Sequence, residues 1–251
     1  MKDLLRYAMD IGEQMLICGA EVHRVEDSVT RICRAFGATR VNVFIITSSI
    51  VVTVYTADEE SYTQTRRIMG TGTDMERLHR LNQLSREICS KEMTLEELRE
   101  KYEECINCKT YPVWFVILCH SLIAAVFTAF FGGTLRDTLV SPIIGFITSI
   151  LTMYSDRLNV NKILEKFICS YIVTAFAFIF MKVNFIASVD KVIIGNIMTL
   201  IPGIGLTNAL RDLFVGDSIA GILRSVEAAL LALAIGAGYF LFVWTLGGVF
   251  I

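Results

Sequence analysis

The sequence predicts an α-helical polytopic membrane protein: five transmembrane helices in residues 112–251, preceded by a cytoplasmic α+β domain in residues 1–111. Three observations carry that prediction. Hydrophobic residues make up 54% of the 251-residue chain and the mean hydropathy is +0.57, more apolar than an ordinary soluble domain. Charge is segregated: residues 1–111 hold 15 basic and 18 acidic side chains, net −3, against 8 and 7, net +1, in the rest. The rest also contains five apolar stretches, 112–131, 138–154, 163–181, 192–210 and 218–244, close to the ~20 residues that cross a bilayer.

The charged third reads as helix, helix, strand pair, helix, helix. Leu4, Ala8, Ile11, Met15 and Cys18 recur at helical spacing, as do Val22, Val25, Val29, Ile32 and Phe36, after which Gly37 signals a helix end. The β-branched run VNVFIITSSIVVTVYT predicts two strands joined at Thr47–Ser49. Two capping boxes, Thr73 with Glu76 and Thr94 with Glu97, announce the last two helices. A core shared by these elements is within the size range of one domain.

Several function classes find no support. A net charge of −2 gives no basic surface for nucleic acid. Asp3, Arg6 and Asp10 interrupt what would have to be the apolar run of a cleavable signal peptide. There is no phosphate-binding G-x-x-x-x-G-K-[ST] loop, and Thr47, Ser48 and Ser49 lack a nucleophile-elbow setting. His23 and His79 have no second histidine at helical spacing, and Cys105 with Cys108 is a single pair, short of the ligands for a zinc site. Seven irregularly spaced cysteines argue for free thiols in a reduced compartment. Catalytic residues, cofactors and metals are therefore not expected.

On the second helix, Glu21, Arg24 and Asp27 share a face while Glu26 points elsewhere. This is a solvated face with weak ion pairs or a binding patch at Arg24 and Glu26, joined by Arg66 or Arg67. Further on, Pro202 cannot donate to the carbonyl of Met198, so the fourth span kinks or breaks, with Gly203 and Gly205 easing the break. Carbonyls freed at membrane depth need protein, ions or water as partners, a construction used in transporter sites. Asn208, Arg211 and Asp212 follow on one helical face, and Arg224 and Glu227 lie three apart on the next span. Ionisable groups inside a membrane suggest a functional site. His120, in the first span, reads as a packed interior histidine or a proton relay.

Basic residues orient the chain. Lys101, Lys109, Arg157, Lys162, Lys166 and Arg211 fall on the side of the charged third, Arg136, Lys182 and Lys191 on the other, so the N-terminus is expected in the cytoplasm.

PGIGLTNALRDLFVGDSIAGILRSVEAAL resembles the signature of the threonine/serine exporter (ThrE) family, and GAEVHRVEDSVTRI with the β-rich run after it resembles that family's N-terminal cytoplasmic region. The resemblance covers essentially the whole chain. It implies a subunit of a secondary transporter in the cell membrane, exporting threonine, serine or a small carboxylate. Because the chain ends after its fifth span, it is similar to the half of a split system that needs a second membrane subunit resembling YjjB. Motif by motif, the resemblance points to Pro202, Gly203, Thr207, Asn208, Arg211, Asp212, Asp217, Arg224 and Glu227 as the transport path, and to Arg24 and Glu26 in the cytoplasmic domain. Two other readings remain: a membrane-anchored enzyme, and a sensor whose bundle signals through residues 1–111.

Overall fold

A computed structural model describes residues 2–91, 93–108 and 111–247. Lys109, counted above among the orienting charges, and Ile251, where the chain ends, lie outside the described residues. The chain divides into two compact units, Met1–Lys109 with Ile204–Val226, and Thr110–Gly203 with Glu227–Ile251. The first unit thus takes in 23 residues that the sequence pattern assigns to the membrane part.

In the first unit, α1 (Lys2–Ile17) and α2 (Val22–Ala35) pack against a three-stranded antiparallel sheet of β1 (Arg40–Ile46), β2 (Ser49–Tyr55) and β3 (Ser61–Arg67), in that order. The expected stripes are the core: Ala8, Ile11, Met15, Val22, Val25, Val29 and Ile32 are fully buried, and they meet Ile50, Val52 and Val54 from the inner face of β2. A turn at Thr47–Ser48 sets the hairpin, since Ile46 pairs with Ser49. The third strand, SYTQTRR, alternates only between exposed and half-buried positions. It is an edge strand whose inner face carries Tyr62, Gln64 and Arg66 rather than aliphatic residues, and this hid it from a hydrophobic-pattern reading. Arg66 reaches back to α1, 3.0 Å from Asp10 and 3.6 Å from Glu13, so it serves the sheet-to-helix contact and not a patch on α2.

Two further helices follow, α3 (Met75–Ser90) and α4 (Leu95–Ile106). The α4 box forms as expected, with Thr94 N–H donating to Glu97 and Glu97 N–H to the Thr94 hydroxyl. At α3 the expected Thr73–Glu76 box is replaced. Asp74 caps the helix by accepting from Arg77 N–H at 2.9 Å, and Glu76, now in the first turn, pairs with Arg80.

The second unit contains α5 (Val113–Phe130), α6 (Leu135–Arg157), α7 (Lys162–Lys182), α8 (Val189–Ile197) and the later part of α10 (Ser218–Phe242). Among the described residues, four helices are long and apolar enough to cross a membrane: α5, α6, α7 and α10 with its continuation to Leu246. Their packing is inverted relative to a soluble protein. Leu118, Leu122, Val126 and Phe130 of α5 face outward, whereas Ser121, Thr128, Ser141, Thr148, Ser170 and Thr174 are buried between helices. Small and hydroxyl-bearing contact faces with apolar outsides are what helices in lipid require. The chain is a multi-pass membrane protein.

The fourth expected span, 192–210, is not one helix. The nine-residue α8 rises only ~13 Å, the chain then turns through 198–202, and α9 (Gly203–Val215) begins directly after Pro202. The missing N–H and the ring of Pro202 break the helix outright instead of bending it, and Thr199 and Leu200 donate to Asn196 and Ile197 in tight turns.

Candidate functional site

The α1–α2 connection creates an acceptor surface. Gly19 has φ +90°, and a Cβ there would come within 2.8 Å of the Gly72 carbonyl, so only glycine allows this turn. It leaves the Gly19 and Ala20 carbonyls beyond the end of α1 and the first N–H groups of α2 without helical partners.

Side chains of α9 and α10 use those groups. Asn208 Nδ2 donates to Gly19 O at 2.9 Å, and Arg224 Nη2 donates to Ala20 O at 2.7 Å. Arg211 Nη1 pairs with Glu21 Oε1 at 2.7 Å. Asp212, 1% exposed, faces the Val22 N–H at the start of α2, where the helix dipole favours an anion. Arg224 Nη1 lies 3.2 Å from Asp212 Oδ2. Neither Asp212 oxygen reaches full hydrogen-bond geometry, so charge holds this pair. Burial pushes the Asp212 carboxyl above the usual carboxylate range, opposed by the Arg224 guanidinium and the Val22 N–H.

The hairpin itself is tight. Asp217 N–H donates to Asp212 O at 2.9 Å across the α9–α10 turn, and at Gly221 any Cβ would meet Leu213 at 2.6 Å. The turn delivers the Asp217 carboxylate to α2, where His23 and Glu26 face it with donor atoms within 4.8 Å of one another.

Of the residues singled out in the sequence, Asn208, Arg211, Asp212, Asp217, Arg224 and Glu26 thus come together within the first unit. Thr207 is exposed on α9, and Arg24 is exposed on α2 with no ion pair among the described residues. Asp27, expected to face Arg24, pairs instead with Arg31 at 2.8 Å. Pro202 and Gly203 belong to the second unit, as does Glu227, which is exposed on α10 with no ion pair among the described residues. The expected option of an Arg224–Glu227 pair is therefore replaced by Arg224 with Asp212. Pattern reading missed Glu21, the Gly19 and Ala20 carbonyls and His23 as members. The one local signal was the three-residue spacing of His23 and Glu26.

The second unit has a polar seam of its own. Thr128 and Ser141 hydroxyls bond at 2.5 Å, Asn196 Nδ2 donates to Ser141 Oγ at 3.3 Å and to Val192 O at 2.9 Å, and His120 Nδ1 lies 3.2 Å from Gly145 O. His120 is thus a half-buried, hydrogen-bonded histidine.

Residues 6–247 match the model of the ThrE family, described as "Putative threonine/serine exporter". The chain is 27% identical over 252 residues to a protein of Klebsiella aerogenes named "Probable succinate transporter subunit YjjP", covering 97% of this chain and 95% of the relative. It is 28% identical over 253 residues to the protein of the same name from Escherichia coli (strain K12), with the same coverage. No solved structure matches the chain significantly. With the family match running through both halves of the interlocked motif and nearly the whole length, the chain belongs to the ThrE family.

Proposed function

We propose that the chain is one subunit of a secondary transporter that exports a small amino acid (threonine or serine) or a small carboxylate across the cytoplasmic membrane, working with a second membrane subunit resembling YjjB. The observation that carries this reading is a charged cluster built from both family motifs in a chain with four helices of crossing length. An inert anchor has no use for it.

In this reading the N-terminus lies in the cytoplasm, the side that the basic residues favour. Three crossings by α5, α6 and α7 take the chain to the far side, yet residues 204–226 share a unit with the N-terminal residues. The stretch 183–203, with α8 and the Pro202 break, then makes the return, so a broken fourth crossing supports five passes with four full-length helices. A helix interrupted at membrane depth is a construction used in transporter sites.

The roles divide by exposure. Asp212 and Arg224 are enclosed and position the hairpin. Arg211, with 59% of its side chain exposed, holds Glu21 by one nitrogen and keeps much of its planar fork for a substrate carboxylate, which Lys could not grip in two parallel bonds. Glu227, open on α10, is free to meet a substrate ammonium or carry a proton. The succinate named for the relatives and the amino acids named for the family share a carboxylate.

The test is efflux from proteoliposomes loaded with labelled succinate, threonine or serine, with and without the partner subunit. Flux of at least one of these should require both chains, and Arg211→Lys should cut it at least tenfold while leaving the protein folded. Flux that no combination of chains and substrates supports would favour the sensor or anchored-enzyme readings; unchanged flux in Arg211→Lys would remove Arg211 from the path.

A further inference from the structure

Apart from the pairs that lock the hairpin, the cluster contains three side chains with the chemistry of metal ligands. His23 and Glu26, three residues apart, project from one face of α2, and Asp217 comes to them from the α9–α10 turn, near the other end of the chain. One donor atom from each lies within 4.8 Å of the other two, a spread that side-chain rotation closes around an ion bound at about 2.1 Å. We propose that His23, Glu26 and Asp217 form a binding site for a divalent first-row transition ion of the Mn²⁺ or Zn²⁺ type, tying the α9–α10 turn to α2.

Two features distinguish these residues from an ordinary acidic surface. Asp217 Oδ2 is buried and has no hydrogen-bond partner among the described residues, although a buried polar atom ordinarily finds one. Glu26 is held in place, its Oε1 accepting the Ile45 N–H at 3.2 Å, which leaves Oε2 for an ion. Burial and then the facing Asp217 push the Glu26 carboxyl up, opposed by the Ile45 N–H and then by His23. Of the arginines nearby, Arg211 is engaged on Glu21 and Arg224 on Asp212 and Ala20, and Arg24 is exposed with no ion pair among the described residues. Neither Glu26 nor Asp217 forms an ion pair with a lysine or arginine among the described residues, and a cation supplies what is missing. An imidazole beside two carboxylates suits Mn²⁺ or Zn²⁺ better than Mg²⁺, which prefers oxygen and water. Three protein ligands leave further positions open to water or to an anion.

The site was out of reach of the sequence, where His23 has no partner histidine and Asp217 belongs to a different motif. It stands apart from the transport reading, because the ion can bind whether or not the chain moves a substrate.

Mn²⁺ is the probe, since the free thiols of this chain would also capture Zn²⁺. The full chain, purified in detergent and stripped with a chelator, is titrated with Mn²⁺ while the free-ion paramagnetic signal is followed. One saturable site is expected. Asp217→Asn and His23→Gln should each weaken it about tenfold or more, and His79→Gln, an exposed histidine on α3, should leave it unchanged. His23 is exposed, so its variant remains folded if Asp217→Asn does not. No saturable Mn²⁺ binding, or a site indifferent to His23→Gln, overturns the proposal.

Discussion

Asp212→Asn is expected to destabilise the first unit by about 3 kcal/mol, the low end of what breaking a buried ion pair costs. The carboxylate is 1% exposed and the Arg224 side chain 11% exposed, so removing one charge strands the other where water cannot compensate. Asparagine keeps an oxygen for the Val22 N–H, and for this reason the low end applies. Glu21→Gln, by contrast, should cost less than about 1 kcal/mol, because its partner Arg211 is mostly in solvent. Denaturant or thermal unfolding of the purified chain measures both. If Asp212→Asn costs no more than Glu21→Gln, the buried pair is not what holds the hairpin.

Gly195→Ala is expected to be as damaging, at about 3 kcal/mol or more, through overpacking. A Cβ on Gly195 of α8 would stand 2.2 Å from Thr128 Oγ1, 2.7 Å from Thr128 N and 2.8 Å from its Cα. The hydroxyl could rotate away, but the backbone of α5 cannot. The two helices would have to separate, breaking the Thr128–Ser141–Asn196 seam beside them. Gly236 of α10 is the control: among the described residues nothing lies within 4 Å of its Cβ position, so alanine there is neutral or slightly stabilising. Thermal stability in detergent should fall for Gly195→Ala and hold for Gly236→Ala. Equal behaviour of the two would mean that α5 and α8 do not cross this closely.

What the sequence revealed and what it hid differ in physical kind. Stripes such as Val22, Val25, Val29 and Ile32, the α4 capping box and the apolar runs of α5, α6 and α7 are legible because periodicity and caps act over one or two turns. The Pro202 break is legible for the same reason, although its completeness is not: whether a proline bends or ends a helix depends on what takes up the freed groups. β3 is hidden because an edge strand with a polar inner face carries no aliphatic alternation. The cluster is hidden more deeply. Asn208, Arg211, Asp212 and Arg224 stand out as polar or charged side chains in apolar surroundings, but their partners are the Gly19 and Ala20 carbonyls, Glu21 and the N-terminus of α2. Nothing local in either motif announces the other.

The central claim is that the α9–α10 hairpin sits on the α1–α2 turn. Its most direct test places cysteines at Glu21 and Arg211, whose side chains meet at 2.7 Å, after Cys89 and Cys108 are changed to Ser, with a protease site inserted at 183–188. Treatment with a short bifunctional thiol reagent followed by cleavage should leave the two fragments joined. Fragments that separate, although each cysteine alone reacts with a monofunctional reagent, would contradict the docking of the two motifs.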